Sequence, residues 1–183
     1  MVIIAIIGLI IFIKLFLFFM VFFLIPSIFG APYDVTRKDA LKHVVTLTDP
    51  KKKDKIAELG SGDGRICIAL AKKAGKKSNI EIHGFEINPF LVWHSRRKIK
   101  KLGLDKNIKI HWQNFWKIDF KDYNKIVLFQ FKTIMKRLEK KIEKELKLGS
   151  RIISHQWIFP NKKIKKKLGK KKAFSGEVYL YKK

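Results

Sequence analysis

Glycines and acids cluster in one segment whose residue types suit a nucleoside cofactor. Residues 58–65 read Glu-Leu-Gly-Ser-Gly-Asp-Gly-Arg, between an apolar run at 56–59 and an amphipathic stretch at 65–73. This order predicts a strand, a glycine turn and a helix. Glycines let the backbone approach a ligand where a Cβ atom would clash, and the helix start provides backbone N–H groups that lack helical partners. The candidate binding residues are Glu58, Gly60, Ser61, Gly62, Asp63 and Gly64.

A third acid supports this interpretation. Glu86 lies 22 residues after Gly64, at the end of the next predicted strand, 80–86. Doubly wound folds place a carboxylate at this position to bind the hydroxyls of a ribose. A tight strand-to-helix turn alone would explain the glycines, but it would not explain the position of Glu86. We therefore expect a nucleoside-cofactor site.

The spacing and charge of the turn favour one cofactor over others. A dinucleotide site is typically Gly-x-Gly-x-x-Gly, which seats a pyrophosphate on the helix N-terminus. Here the third glycine comes one residue early, and Glu58 and Asp63 flank the turn. Carboxylates would repel a pyrophosphate but suit the ammonium and sulfonium groups of S-adenosylmethionine. The pattern therefore favours S-adenosylmethionine over NAD, and the absence of a Gly-x-x-x-x-Gly-Lys-[Ser/Thr] loop argues against ATP hydrolysis by that route.

Alternating helices and strands must position these residues. Strands are predicted at 56–59, 80–86, 108–112, 126–131, 151–159 and 177–181, and helices after Thr36, at 65–73, at 89–102 and around 134–146. The spacing of Thr36 and Asp39 suggests a capping box, and Asn88 followed by Pro89 suggests a second helix start. The lysine-rich stretch 162–172 is expected to be a solvated loop. This order predicts an α/β fold, a Rossmann-like, mostly parallel sheet with helices on both faces.

The N-terminal residues differ in composition from the rest of the chain. Within residues 1–25 only Gly8 and Lys14 are not apolar, and such a helix is long enough to cross a hydrocarbon core of about 30 Å. A cleaved signal is the alternative, but no basic residue precedes the apolar run and the cleavage site is poor. We expect a transmembrane anchor at 1–31 and a domain at 32–183. By the positive-inside rule the protein is single-pass, with the domain in the cytoplasm.

Composition narrows the partners and the metal chemistry. The 183 residues include 41 Lys and Arg against 15 Asp and Glu, a net charge of +26, and one cysteine. One cysteine excludes a disulfide framework and a multi-cysteine zinc cluster, and we expect no metal site. The charge indicates an anionic neighbour, either a lipid surface or nucleic acid, although compositional drift would also produce it.

Three segments together resemble a known family. Residues 58–65, the Gly-Phe-Glu-Ile-Asn-Pro segment at 84–89 and the Asn-Phe-Trp-Lys segment at 114–117 look like the class I, seven-strand methyltransferases. More narrowly, they resemble the membrane-anchored group that includes the mitochondrial lysine methyltransferases of the adenine nucleotide translocase and of the ATP synthase c-ring protein, with their prokaryotic relatives. The resemblance covers about 32–159, including Pro32, Tyr33 and Thr36 at the start of the domain.

The resemblance implies roles for particular residues. S-adenosylmethionine would be the cofactor, with its methionine part near Glu58, Gly60, Gly62 and Asp63, its ribose on Glu86 and its adenine amine near Asn114. The family usually has Asp at that last position, and an Asn Oδ1 atom can accept the same hydrogen bond. After the fourth strand the family tends to have a proline, whereas this chain reads Phe-Gln-Phe-Lys at 129–132.

The acceptor side is less marked. Gln130, after the fourth strand, is the candidate to face the methyl acceptor, and Tyr33, His155, Ser154 and Trp157 are further candidates. We expect Trp93, Trp112 and Trp116 to serve packing. The favoured function is a protein-lysine methyltransferase that acts on a membrane-associated protein, with anionic lipid as a second partner. The alternatives are a nucleic-acid methyltransferase and a non-catalytic basic module of the membrane surface.

Overall fold

The computed structural model describes residues 1–20, 34–75, 78–170 and 176–183. These fall into two compact units, Met1–Asp34 and Val35–Lys183. The first contains helix α1, Val2–Phe19, whose side chains are exposed and apolar. Its length and composition suffice to cross a membrane, and a signal sequence would pass the same test. The rest of the predicted anchor, 21–31, lies outside the described residues, and the division into 1–31 and 32–183 stays a prediction.

The second unit is built on one sheet. Its strands are β1 (Lys55–Leu59), β2 (Glu81–Glu86), β3 (Ile108–Trp112), β4 (Lys125–Leu128), β5 (Arg151–His155), β6 (Lys166–Leu168) and β7 (Val178–Lys182). Their order across the sheet is β3-β2-β1-β4-β5-β7-β6. Strands β1 to β5 pair in parallel, whereas β7 pairs antiparallel with both β5 and β6. The predicted mostly parallel α/β sheet is confirmed.

Helices cover both faces of this sheet, as predicted. They are α2 (Lys38–Thr48), α3 (Arg65–Ala74), α4 (Pro89–Lys101) and α5 (Lys132–Glu145). Because successive side chains of a strand point to opposite faces, Val127 of β4 joins the core beneath α2, α3 and α4, while its neighbour Ile126 joins the core beneath α5. Both side chains are fully buried, which explains the continuous apolar run in this strand.

Two predicted strands are too long and one predicted loop is wrong. Strand β4 ends at Leu128 because the chain then turns inward and Phe131 caps helix α5. Strand β5 ends at His155 because Gln156 has a φ of 71°, which breaks the extended backbone. The stretch expected to be a solvated loop contains strand β6, an edge strand whose lysines pair antiparallel with β7. Lysines on an edge strand discourage pairing with another chain.

The two predicted helix starts differ in outcome. The capping box at Thr36 is wrong, because Arg37 is the N-cap residue and makes no side-chain cap bond. The carbonyl of Thr36 instead accepts a hydrogen bond from Arg65 at 3.2 Å. The start at Asn88 is confirmed, because its Oδ1 atom accepts from the backbone N–H groups of Phe90 and Leu91 at 3.0 and 3.3 Å.

Candidate active site

The glycine turn lies at the carboxyl end of β1, where it folds over the neighbouring strand. Gly60, Gly62 and Gly64 have φ angles of 77°, 52° and 75°, in the left-handed region that favours glycine. The N–H groups of Gly60 and Ser61 both donate to the carbonyl of Phe85 in β2, at 2.9 and 3.0 Å. Helix α3 begins at the next residue, so its N-terminus is part of the turn. This is the cradle that the sequence predicted.

Glu86 closes the turn from the end of β2. Its Oε2 atom accepts from the N–H of Gly62 at 2.9 Å, and its Oε1 atom accepts from the N–H groups of Ile87 and Asn88 at 2.8 Å each. Burial raises the pKa of the Glu86 carboxyl, and the three N–H donors offset only part of that rise. The carboxyl is thus fixed beside the turn, at the position the sequence predicted for a ribose-binding acid.

The other two acids of the turn are engaged within the protein. The Oε2 atom of Glu58 accepts from the backbone N–H and the thiol of Cys67, at 3.0 and 2.8 Å. Asp63 forms salt bridges with Arg65 at 2.8 Å and with Lys98 at 3.1 Å. Burial acts to raise the pKa of Asp63, but hydrogen bonds and charges from these two cations outweigh it and lower that pKa.

Neither acid therefore presents an unpaired negative charge at the turn, contrary to the expectation from the charge pattern. Complete burial raises the pKa of Glu58 to about 8, so this carboxyl is mostly protonated at pH 7. Both side chains hold the turn against helices α3 and α4. Direct contact of either acid with the methionine part of a donor stays a prediction.

The raised pKa of Glu58 has a consequence for stability. The folded protein keeps the Glu58 proton up to about pH 8, whereas the unfolded chain loses it near the ordinary value of 4.5. The unfolding free energy should therefore fall as the pH rises from about 5 to about 8. Glu58→Gln should flatten this slope in part, since Glu86 contributes with the same sign. Urea unfolding of both proteins across this pH range tests it, and equal slopes would contradict the assignment.

Gln130 packs directly on the first glycine of the turn. Its Nε2 atom donates to the carbonyl of Leu59 at 2.7 Å, and a Cβ atom on Gly60 would lie 2.5 Å from that nitrogen. The side chain is 3% exposed, and its Oε1 atom has no hydrogen-bond partner among the described residues. The predicted acceptor-side residue is therefore in contact with the turn.

The further acceptor-side candidates have different outcomes. Ser154 and His155 end β5, beside the end of β4. The hydroxyl of Ser154 donates to the carbonyl of Trp157 at 2.5 Å, and the ring centroids of His155 and Phe129 are 4.1 Å apart. Tyr33 lies outside the described residues. A role for any of them in catalysis stays a prediction.

Asn114 follows β3 at the same edge of the sheet. It caps a short 3-10 helix, Phe115–Lys117, and its Oδ1 atom accepts from the N–H of Trp116 at 3.0 Å. A carbonyl oxygen has two lone pairs, so the predicted bond to an adenine amine remains chemically available. Trp116 packs under the guanidinium of Arg137 at 4.2 Å, but the packing prediction is wrong for Trp93 and Trp112, which are exposed.

One supporting glycine was missed in the sequence. Gly84 lies inside β2 without a positive φ, and a Cβ atom there would lie 2.7 Å from both Cβ and Oγ of Ser61 and 2.6 Å from Cδ1 of Ile110. Its absent side chain is what lets the turn fold over β2. A glycine inside a strand often marks a close approach of backbone, and that was the available signal. The cations Arg65 and Lys98 were also missed, since the chain is rich in basic residues.

Comparisons with known proteins relate this geometry to a family. Residues 58–166 match the family model of the ANTKMT methyltransferase domain. The lysine N-methyltransferase of the ATP synthase c-ring protein from Homo sapiens is 37% identical over 110 residues, 60% of this chain and 45% of that protein. The protein-lysine N-methyltransferase of Saccharolobus islandicus is 30% identical over 126 residues, 69% of this chain and 76% of that protein.

A solved structure has the same fold. The RNA methyltransferase from Salinibacter ruber, in complex with S-adenosyl-L-homocysteine, superposes with a TM-score of 0.72 and 22% identity, over 81% of this chain and 93% of that one. At this identity the likeness concerns the fold alone. The chain spans less than half the length of the ATP synthase-directed enzymes of Homo sapiens and Mus musculus that it matches, at 45% and 40%.

Proposed function

Because the chain belongs to the family of the ANTKMT methyltransferase domain, we propose that it is an S-adenosylmethionine-dependent protein-lysine N-methyltransferase that acts at a membrane. The observation that carries the proposal is the glycine turn closed by the Glu86 carboxyl at the carboxyl edge of the sheet. Relatives named as protein-lysine methyltransferases support lysine as the acceptor.

Each donor-site residue has a distinct part in this proposal. Glu86 accepts hydrogen bonds from the ribose hydroxyls, and Asn114 accepts one from the adenine amine. The glycines at 60, 62 and 64 keep the cradle free of side chains, while Glu58 and Asp63 hold it against its helices. The bound donor supplies a methyl group activated by its sulfonium charge. Since little other covalent chemistry is required, catalysis depends mainly on placing the acceptor in line with that methyl group.

The acceptor must be a neutral amine, because a protonated lysine has no lone pair with which to attack. Gln130 suits an acceptor-side role because its Oε1 atom is a buried hydrogen-bond acceptor next to Gly60. An N–H of the lysine amine would donate to that oxygen, and its lone pair would then face the methyl group. The side chain carries no charge, so it would not stabilise the ammonium form of the lysine as a carboxylate would.

Replacing Gln130 by methionine tests this placement. The substitution keeps the approximate side-chain volume and removes the amide. We expect methyl transfer to membrane protein to fall by about tenfold, the worth of one hydrogen bond, while donor affinity changes much less. Gln113→Met, at an exposed strand end, should change neither quantity. A loss of donor affinity as large as the loss of transfer would contradict an acceptor-side role and assign Gln130 to the cradle.

The membrane part of the proposal rests on helix α1 and on charge. Val2–Phe19 is apolar enough to span a bilayer, and the basic residues lie almost wholly after it. By the positive-inside rule the protein is then single-pass with its domain in the cytoplasm, where anionic headgroups are available. A tether of this kind raises the effective concentration of a membrane-bound substrate.

Removing the anchor should separate binding from activity. A chain that begins at Tyr33 should bind S-adenosylmethionine with unchanged affinity, because the sheet and the glycine turn lie wholly in Val35–Lys183. Its transfer of labelled methyl groups to membrane protein should fall. Calorimetry and label incorporation with isolated membranes measure the two quantities. An insoluble or unfolded short chain would contradict the division into anchor and domain, and unchanged transfer would contradict the tether.

A further inference from the structure

Three large aromatic side chains are exposed near the donor site. Phe90, Trp93 and Trp112 have exposed fractions of 53, 56 and 67%. Phe90 and Trp93 lie on α4, and Arg97 and Lys100 continue the same stripe toward its C-terminal end, at helical spacing. We call these five residues, Phe90, Trp93, Arg97, Lys100 and Trp112, the aromatic–cationic face.

The two tryptophans and two cations line one open groove. The groove has a volume of about 420 Å³, its remaining lining residues are Pro89, Val92 and Arg96, and no acid is among the described residues that line it. The guanidinium of Arg97 stands 5.8 Å from the ring centroid of Trp93. The indole Nε1 of Trp112 donates to the carbonyl of Ile87 at 3.0 Å, which fixes this ring although it is largely exposed.

The face adjoins the candidate ribose site. Trp112 is the register partner of Glu86 in the β2–β3 pairing, and Phe90 lies four residues after Glu86. The aromatic end of the face is therefore at the carboxyl edge of the sheet, the edge that holds the glycine turn. The cationic end extends away along α4.

We propose that the aromatic–cationic face binds an anionic phospholipid surface. Tryptophan and phenylalanine rings suit the headgroup level of a bilayer, and each Lys or Arg near an anionic surface adds about a fivefold preference. The groove offers positive charge without a neighbouring acid, which is complementary to lipid phosphate. Helix α1, which is apolar enough to span a bilayer, favours lipid over nucleic acid as the occupant. Contact through this face would bring the donor-site edge to the membrane, so lysines at headgroup level would be the accessible acceptors.

Tryptophan quenching in the full chain tests the contact. All four tryptophans lie beyond α1, so emission reports on the second unit alone. We expect brominated lipids to quench emission in nanodiscs that contain phosphatidylserine, and much less in nanodiscs of phosphatidylcholine. Trp93→Phe and Trp112→Phe should each remove part of the quenched signal. Methyl-donor affinity, measured on the same samples, reports separately on the proposed enzymatic function.

A matched pair of charge reversals makes the test specific. Arg97→Glu with Lys100→Glu should lower the ratio of bound to free face about 25-fold or more, the product of two fivefold contributions. Lys140→Glu with Lys144→Glu changes the net charge equally on α5 and should leave quenching intact. Equal loss in both variants, or no quenching in the unaltered chain, would overturn the proposal. It would also be overturned if the first pair left quenching intact and abolished binding of single-stranded RNA.

Discussion

Gly62→Val should abolish S-adenosylmethionine binding while the sheet remains folded. Gly62 has a φ of 52°, and its N–H is the donor that joins the turn to Glu86 at 2.9 Å. A β-branched side chain would be strained at this φ, by about 1–3 kcal/mol, and would occupy the space where the cradle must meet the donor. Isothermal calorimetry measures donor binding, and circular dichroism with thermal unfolding measures the fold.

Gly149→Val is the matched control for the strain. Gly149 has a φ of 84° and open space where its Cβ would lie, just before β5 at the opposite edge of the sheet. It should lose a similar amount of stability and keep its donor affinity. If Gly62→Val still binds the donor with ordinary affinity, the glycine turn is not the cofactor cradle.

Glu86→Ala should weaken S-adenosylmethionine binding by about 1.5–3 kcal/mol, the usual worth of hydrogen bonds to a charged group. The substitution removes the proposed ribose partner and also frees the N–H groups of Gly62, Ile87 and Asn88, which now bond to the carboxyl. The protein should therefore lose some stability as well as affinity, and calorimetric titration should be made below the temperature at which the variant unfolds.

Glu81→Ala is the control on the same strand. Glu81 begins β2 at the far edge of the sheet with an exposed side chain, so its loss should leave donor affinity unchanged. Unchanged affinity in Glu86→Ala would contradict the assigned ribose site. Tight binding of NAD in place of S-adenosylmethionine would contradict the choice of cofactor.

The sequence predicts the order of the elements because that order depends on local periodicity and on turn residues. The ends of elements were harder to predict where a distant contact decides them. Strand β4 stops at Leu128 because the amide of Gln130 turns to the carbonyl of Leu59. Strand β5 stops where the N–H of Gln156 bonds to the carbonyl of Glu177 at 2.8 Å. Strand β6 was missed because its lysines have no apolar alternation and its pairing comes entirely from β7.

The candidate site was predictable in position but not in electrostatics. The spacing of the glycine turn and Glu86 correctly predicted that they meet, because parallel strands bring their carboxyl ends to one edge. The charge of Glu58 depends on how deeply it is buried, and the partners of Asp63 depend on which of many cations comes near. Those quantities arise from packing between elements. Sequence spacing carries no record of them.

Mass spectrometry of labelled membranes tests the central claim most directly. Isolated membranes would be incubated with the full chain and S-adenosylmethionine that carries an isotopically labelled methyl group, with the Gly62→Val chain as the inactive control. We predict label on the ε-amine of lysine in one or more membrane proteins, present with the unaltered chain and absent with the control. No label in any fraction would favour a non-catalytic surface module. Label in RNA or in small molecules, with none in protein lysine, would contradict the proposed lysine methyltransferase.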